Sequence, residues 1–308
     1  MIDRRQVLKL GTATLALPAL KLFAGEPPSA LKSELIQRAI PSSGELLPVI
    51  GMGTSRTFDT NDNPETLAQL TEVMRAFIAG KGTVIDSSPM YGTSEAVIGH
   101  CMRRLRKGEE AFTATKVWTR GRRSGIDQMD YSEKLWGAGS FDLMQIHNMV
   151  DWKTHLKTLR QWKEAGRLRY IGITTSHGRR HGDLEQALKR ERFDFVQFTY
   201  NLLDREVEER LLPLAADRGI AVLINRPFRR GGLFDHVGRT PIPTWAQEFD
   251  CANWAQFFLK FVIAHPAVTC AIPATSRVPH MLENMGAGFG RLPDARTRQR
   301  MVRHMAEI

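Results

Sequence analysis

Short apolar runs recur along the chain and alternate with amphipathic stretches. The runs are rich in β-branched and aromatic residues and are apolar on both faces, which is typical of parallel strands covered by helices. They occupy residues 49–54, 83–86, 112–118, 141–147, 170–175, 193–200, 220–225 and 268–274. Eight such runs without a long Gly/Ser linker predict an α/β fold of the (β/α)8 TIM-barrel type, formed by a single domain.

Helix signals lie between these runs. In residues 63–80, Asn63 can cap a helix, Pro64 suits its first turn, and apolar residues recur at three- and four-residue steps. Residues 254–266 predict another helix, and residues 204–219 predict one that is bent at a proline.

Two further elements flank the predicted barrel. A Ser-Ser-Gly turn between two apolar runs in residues 38–50 predicts an N-terminal hairpin ahead of the main fold. The Arg- and Met-rich stretch after residue 290 predicts a C-terminal helical tail.

The first 30 residues have the layout of an export signal. Arg4 and Arg5 precede an apolar stretch over residues 12–23, which is too short to span a bilayer because a span takes about 20 apolar residues. The pair resembles the twin-arginine (Tat) signal of bacteria. We therefore expect residues 1–30 to engage the Tat export machinery, residues 31–308 to form the barrel, and the protein to be periplasmic, or cytoplasmic if the signal is not used. The alternative is a basic amphipathic arm.

Composition is that of an ordinary soluble globular protein, with 42% hydrophobic and 25% charged residues in a chain of 308. The net charge of +10 comes from dispersed arginines, without interleaved aromatics or a nucleic-acid motif, so we expect solvated faces and no nucleic-acid partner. An anionic ligand such as a nucleotide phosphate remains open for the loop that holds Arg229 and Arg230.

The three cysteines, Cys101, Cys251 and Cys270, are far apart and form no CxxC pair. Spacing of this kind predicts no metal site, and three buried free thiols are favoured over a single disulfide formed after export.

Ionisable residues stand at or just after the ends of the second, third and fourth predicted strands. They are Asp86, Lys116 and His147, and Tyr91 follows Asp86 by five residues. Because active sites of these barrels lie at the carboxyl ends of the strands, all four should converge on one mouth.

This group suits proton transfer to a carbonyl oxygen. An ammonium beside a phenol favours the phenolate, so Lys116 is expected to lower the pKa of Tyr91 and make it a proton donor. Asp86 would keep Lys116 charged, and a neutral His147 would orient the carbonyl group.

Several motifs together resemble the aldo-keto reductases over nearly all of the chain after residue 38. They read "IDSSPMYG", "ATKVW", "DLMQIHN", "GRLRYIGIT", "VQFTYN" and "IPATSRVPHMLEN". The resemblance implies an NADP-dependent or NAD-dependent oxidoreductase that reduces an aldehyde or ketone as its small-molecule substrate and needs no metal. It assigns Tyr91 as proton donor, Asp86 and Lys116 as its tuning partners, and His147 as the carbonyl-orienting residue.

The resemblance also implies which residues bind the nicotinamide cofactor, NADP(H) with NAD(H) not excluded. By matched position they are Gly53, Thr54, Ser55, Asp86, Thr174, Gln197, Arg226, Pro227, Phe228, Thr275, Arg277, His280, Glu283 and Asn284.

Three departures from the family pattern bear on the cofactor. Asn225 stands where a tyrosine often stacks on the nicotinamide, so Arg226 or Phe228 would have to supply that contact. Ala274 and His280 replace a frequent lysine and arginine that grip the 2'-phosphate. Arg277 is then the remaining candidate for that phosphate, and the preference between NADPH and NADH stays open.

Two other functions are compatible with parts of the pattern. A non-catalytic barrel could bind nicotinamide nucleotide as a sensor or accessory subunit, although the four ionisable residues are intact. A lyase or aldolase could use Lys116 as a Schiff-base nucleophile, but the segment matched to adenosine would have no role in it.

Overall fold

The computed structural model describes residues 34–60, 63–106 and 110–308. The predicted signal segment, residues 1–30, therefore lies outside the described residues. No helix among the described residues combines the length and the apolar character that a membrane span requires.

An antiparallel hairpin precedes the barrel, as the sequence predicted. Its strands are β1 (Gln37–Ala39) and β2 (Leu46–Pro48). Ile40 and Leu47 pack into a cluster with inward-facing barrel residues, and the Tyr170 hydroxyl donates to Glu45 Oε2 at 2.6 Å. The hairpin thus covers the end of the barrel at which the strands begin.

Eight parallel strands form the barrel, and all but one lie within a predicted apolar run. They are β3 (Met52–Gly53), β4 (Val84–Asp86), β5 (Phe112–Val117), β6 (Phe141–Ile146), β7 (Leu168–Thr174, in which the prediction began two residues late), β8 (Phe195–Thr199), β9 (Ala221–Asn225) and β10 (Cys270–Ala271). They pair in sequence order from β3 to β10. Bridges from Ile50 to Ala271 and from Gly53 to Ala274 join the last strand to the first, so the sheet closes on itself.

Helices cover the outside of the sheet. They are α1 (Pro64–Ala79), α2 (Ser94–Leu105), α3 (Arg122–Trp136), α4 (Trp152–Glu164), α5 (His181–Arg190), α6 (Leu211–Asp217), α7 (Gly232–Val237), α8 (Trp254–Ile263), α9 (Val278–Gly286) and α10 (Ala295–Glu307). Asn63 caps α1 by accepting from the amides of Glu65 and Thr66, as predicted. The tail after residue 290 forms the helix α10, also as predicted.

The prediction of one bent helix over residues 204–219 is wrong. A 3-10 turn over Glu206–Glu208 ends before Arg210, whose backbone is non-helical at φ −136°, and α6 then starts anew. Pro213 lies in the first turn of α6, where the missing N–H has no helical acceptor to lose. The proline therefore lies near the start of a helix and does not bend one.

The three cysteines are buried and free, in agreement with the sequence-based expectation. The described residues contain no group of three His, Cys, Asp or Glu side chains that could hold a metal ion.

Candidate active site

A cavity of about 1100 Å³ opens at the carboxyl ends of the barrel strands. Its volume is slightly above the range of ~300–1,000 Å³ that is usual for small-ligand pockets. Fifteen of the sequence-predicted residues line it, namely Gly53, Thr54, Ser55, Asp86, Tyr91, His147, Thr174, Gln197, Arg226, Pro227, Phe228, Thr275, His280, Glu283 and Asn284. Lys116 and Arg277 do not line it.

Lys116 lies beneath the cavity and pairs with Asp86. The two side chains come from the neighbouring strands β5 and β4, and both are buried. Lys116 Nζ donates to Asp86 Oδ2 at 2.5 Å and to the Ser87 carbonyl at 2.6 Å. Burial alone would lower the pKa of Lys116, but the charge of Asp86 and its hydrogen bond with the lysine contribute to an opposing effect that prevails and raises that pKa, so the lysine is held as a cation.

The other oxygen of Asp86 is held by two glutamines. Gln145 Nε2 donates to Asp86 Oδ1 at 2.8 Å, and Gln197 Nε2 donates to the same atom at 3.0 Å. Sequence reasoning missed Gln145, although it stands two residues before His147 in β6. A strand residue at that spacing shares the inward face, which is the signal that would have identified it.

Tyr91 lies next to Lys116, with the lysine Nζ 5.2 Å from the centre of the phenol ring. The expectation that the pKa of Tyr91 is lowered is wrong in its net direction. Burial raises that pKa, and the charge of Lys116 and its hydrogen bond to the phenol offset the rise only in part. Tyr91 therefore stays protonated at neutral pH.

His147 completes the group. Its ring meets the Tyr91 ring edge to face, with 5.7 Å between the centres, and its Nδ1 lies 2.8 Å from Ser88 Oγ. Burial and the charge of Lys116 lower the pKa of His147 well below 6.5. The imidazole is thus neutral at physiological pH, as expected from the sequence.

Another part of the cavity wall is formed by Thr275, His280, Glu283 and Asn284. The Nδ2 atom of Asn284 is buried and has no hydrogen-bond partner in the described part of the chain, although such groups in folded proteins are normally paired. Arg277 lies beside this part of the wall and is exposed, and its backbone N donates to Thr275 Oγ1 at 3.1 Å.

Four basic residues in the cavity wall were not predicted as site residues. They are Arg56, His177, Arg179 and Arg180, all in loops that follow strands. Arg230, for whose loop the sequence left a phosphate open, also lines the cavity. The sequence signal was the run "SHGRRHG" directly after β7, but it contains no motif that would separate a ligand-facing arginine from a solvated one. Arg229 points elsewhere and pairs with Asp204 at 3.4 Å.

The fold and this site define a parallel (β/α)8 barrel with a buried Asp-Lys pair, a tyrosine and a neutral histidine at its mouth. The model of the aldo/keto reductase family matches residues 49–299. The chain belongs to that family.

Curated relatives match at moderate identity. Aldo-keto reductase YhdN of Bacillus subtilis (strain 168) is 27% identical over 197 residues, which is 59% of this chain and 59% of the relative. The NADH-specific methylglyoxal reductase of Escherichia coli (strain K12) is 26% identical over 198 residues, which is 53% of this chain and 58% of the relative. Each match therefore spans less than two thirds of the relative's own length.

Solved structures share the fold at lower identity. An aldo/keto reductase from Klebsiella pneumoniae in complex with NADP and acetate superposes with a TM-score of 0.71 at 23% identity, over 85% of this chain and 93% of that one. The holo form of aldo-keto reductase AKR11C1 from Bacillus halodurans gives a TM-score of 0.73 at 19% identity, over 88% of this chain and 96% of that one.

Proposed function

We propose that the protein is an NAD(P)H-dependent oxidoreductase that reduces an aldehyde or ketone to an alcohol. The observation that carries the proposal is a group of four side chains in contact at one cavity. Asp86, Tyr91 and His147 line the cavity, and Lys116 lies beneath its wall. Membership of the aldo/keto reductase family supports it, as do the names of the relatives, one of which is a methylglyoxal reductase.

Reduction adds a hydride to the carbonyl carbon and a proton to the carbonyl oxygen. A reduced nicotinamide, when bound, supplies the hydride. Tyr91 gives its phenolic proton to the oxygen, and the neighbouring Lys116 ammonium stabilises the phenolate that remains. The pKa of Tyr91 is raised, yet a phenol is still much more acidic than the alcohol that forms, so the transfer remains favourable.

His147 orients the carbonyl oxygen. Ser88 Oγ accepts from the amide of Met90 at 3.2 Å, so its own proton is available to His147 Nδ1. That arrangement leaves the imidazole proton on Nε2, where a neutral ring can donate to the substrate oxygen. Because His147 is neutral, it adds no second positive charge beside the Lys116 ammonium.

The residues present fit a nicotinamide nucleotide. Thr175 Oγ1 and Asn284 Nδ2 are buried, belong to different segments of the cavity wall, and have no partner among the described residues. Two such groups, which normally find partners, indicate a polar ligand that contacts both segments. Thr174 and Gln197 would hold the nicotinamide, and Glu283 with Asn284 would hold the adenosine.

The test is a Tyr91→Phe variant assayed for oxidation of NADPH, and of NADH in parallel, against a panel of aldehydes and diketones. We expect reduction to fall by about 10²- to 10⁴-fold, because a proton donor contributes roughly that factor, while cofactor binding measured by fluorescence persists. Tyr131→Phe is the matched control, since Tyr131 is exposed on α3. Full activity of Tyr91→Phe would refute the assignment, and cofactor binding without turnover by the wild type would favour the sensor function.

We also propose that the protein reaches the periplasm through the Tat machinery. The support is the sequence alone, in which Arg4 and Arg5 precede a short apolar stretch. The Tat route carries folded proteins, so a barrel that binds its nucleotide in the cytoplasm would leave already folded around it.

Cell fractionation tests the export proposal. The tagged wild type is expected in the periplasm, and an Arg4→Lys, Arg5→Lys variant is expected in the cytoplasm. Cytoplasmic location of both forms would refute export and place the enzyme beside the cellular cofactor pool.

A further inference from the structure

Four basic residues in the cavity wall are not used by the proposed proton transfer. His177 and Arg179 lie in the loop after β7, and Arg226 and Arg230 lie in the loop after β9. We call these four residues the arginine cluster.

The cluster is held together across the two loops. Arg226 Nη2 donates to His177 Nε2, which joins the loops directly. Burial and the charges of the three arginines hold the pKa of His177 down at about 4, so the ring is neutral and can accept this bond. The loops also contain residues in the left-handed region, with φ of 64° at His177, 52° at Arg226 and 60° at Arg230, a conformation that concentrates at ligand sites.

Positive charge in the cluster is poorly compensated. Burial and the charges of Arg230 and Arg179 lower the pKa of Arg226 to about 10, against the opposing effect of Asp204. Asp204 is itself paired with Arg229, which points away from the cavity. Guanidinium groups that repel each other in a cavity are stabilised when an anion binds between them.

The cluster borders the site of reduction. Arg226 and Tyr91 line the same cavity, and the positive charge of Arg226 lowers the pKa of Tyr91 slightly against the larger effect of burial. Arg226 therefore lies within reach of a ligand that contacts the proton donor.

We propose that the arginine cluster, through Arg226, binds the carboxylate of the substrate, so that the enzyme acts on carbonyl compounds that carry a carboxylate group. This inference rests on the proposed carbonyl reduction. A guanidinium binds carboxylates through two parallel hydrogen bonds, which would fix the distance from the carboxylate to the carbonyl group. The other anion that could meet these arginines is a phosphate of the cofactor, because Arg226 itself is matched to a cofactor-binding position of the family and a nucleotide phosphate was left open for the loop of Arg230, and the experiment separates the two.

The experiment compares 4-formylbenzoate with its methyl ester, which differ in charge but share the aromatic aldehyde. Wild type, Arg226→Met and Arg229→Met are compared, and Arg229 is the matched control because it lies on the same loop but outside the cavity lining. Calorimetry in the presence of NADP+ measures binding of each aldehyde, and steady-state kinetics give kcat/KM for each aldehyde and KM for NADPH.

We expect the wild type to bind and reduce the carboxylate better than the ester by about ten- to a hundredfold, the range for a charge-assisted pair. Arg226→Met should remove this preference, and Arg229→Met should keep it.

Two results would overturn the inference. One is an equal affinity of the wild type for both aldehydes. The other is an Arg226→Met variant that keeps the preference for the carboxylate while its KM for NADPH rises, which would assign Arg226 to the cofactor. Calorimetric preference for the carboxylate without any turnover would instead refute the proposed reduction and leave the carboxylate site supported.

Discussion

Two fully buried lysines occupy different parts of this barrel and meet different partners. Lys116, below the cavity, donates to the carboxylate of Asp86. Lys260, on α8, donates to three backbone carbonyls, those of Phe249, Phe289 and Arg291, at 2.8–2.9 Å.

The pKa values of the two lysines shift in opposite directions. Burial lowers both, but the contact with Asp86 reverses the effect at Lys116, whereas burial prevails at Lys260 and lowers its pKa to about 8. A nearby carboxylate thus decides whether a buried lysine is a fixed charge. The first lysine serves an electrostatic site, and the second ties loops around α8 to the helix.

The largest expected effect comes from Lys116→Met. We expect carbonyl reduction to fall by about 10²- to 10⁴-fold, because the phenolate of Tyr91 loses its cation. We also expect the free energy of unfolding to fall by about 3–5 kcal/mol, because Asp86 is left as an unpaired buried charge. Steady-state kinetics and chemical denaturation followed by circular dichroism measure the two effects.

A double variant separates the two effects. Asp86→Asn combined with Lys116→Met removes both charges, so much of the stability should return while activity stays low. If the double variant were as unstable as Lys116→Met, the loss would come from packing and not from the charge on Asp86.

Lys260→Met should show the reverse pattern. Three carbonyls lose their donor, and we expect the free energy of unfolding to fall by about 1–3 kcal/mol. Because Lys260 does not line the cavity, kcat/KM of the folded variant should match that of the wild type. A large loss of activity at temperatures where the variant is folded would contradict the purely structural role.

The same two lysines illustrate what the sequence could predict. Lys116 was identified because it stands at the end of an apolar strand and within a motif shared by a family. Lys260 lies in the run "FFLKFVI", which was read only as a helix. Its acceptors are carbonyls about 11 to 31 residues away, and backbone carbonyls leave no mark in a sequence.

Other differences have the same physical origin. The eight strands and the hairpin were predictable because their apolar runs are local. The break before α6 and the left-handed residues of the arginine cluster depend on tertiary contacts that no local pattern encodes. The net pKa of Tyr91 also escaped prediction, because the sequence revealed its charged neighbour but not the extent of its burial.

A pH series tests the opposite shifts of the two lysines. The pKa of Lys260 is about 8 in the folded protein and 10.5 in the unfolded chain. Between pH 8 and pH 10.5, Lys260 is therefore protonated in the unfolded chain and deprotonated in the folded protein. The contribution of Lys260 to stability is therefore present above pH 10.5 and is lost as the pH falls through 8. We expect the free energy of unfolding of the wild type, relative to Lys260→Met, to rise by up to ~1.4 kcal/mol per unit between pH 8 and 10.

Lys116 gives the control for this series. Its pKa is raised, so its contribution is fully present below pH 10.5 and is lost only as the pH rises through the higher value. The difference between the wild type and the Asp86→Asn, Lys116→Met variant should therefore stay flat between pH 8 and 10. Equal slopes in the two comparisons would mean that the lysines titrate alike.

The smallest expected effect is on activity in mildly acidic solution. Burial and the charge of Lys116 place the pKa of His147 well below 6.5, so the ring stays neutral when the pH falls from 8 to 6. We therefore expect kcat/KM for a neutral aldehyde to change by no more than about twofold over this range, since neither His147 nor Tyr91 changes its protonation state. A profile that falls with an apparent pKa near 6.5 would show that burial and the charge of Lys116 do not keep His147 neutral in the working enzyme. That result would break the contrast between Lys116, which governs the protonation of its neighbours, and Lys260, which only holds loops in place.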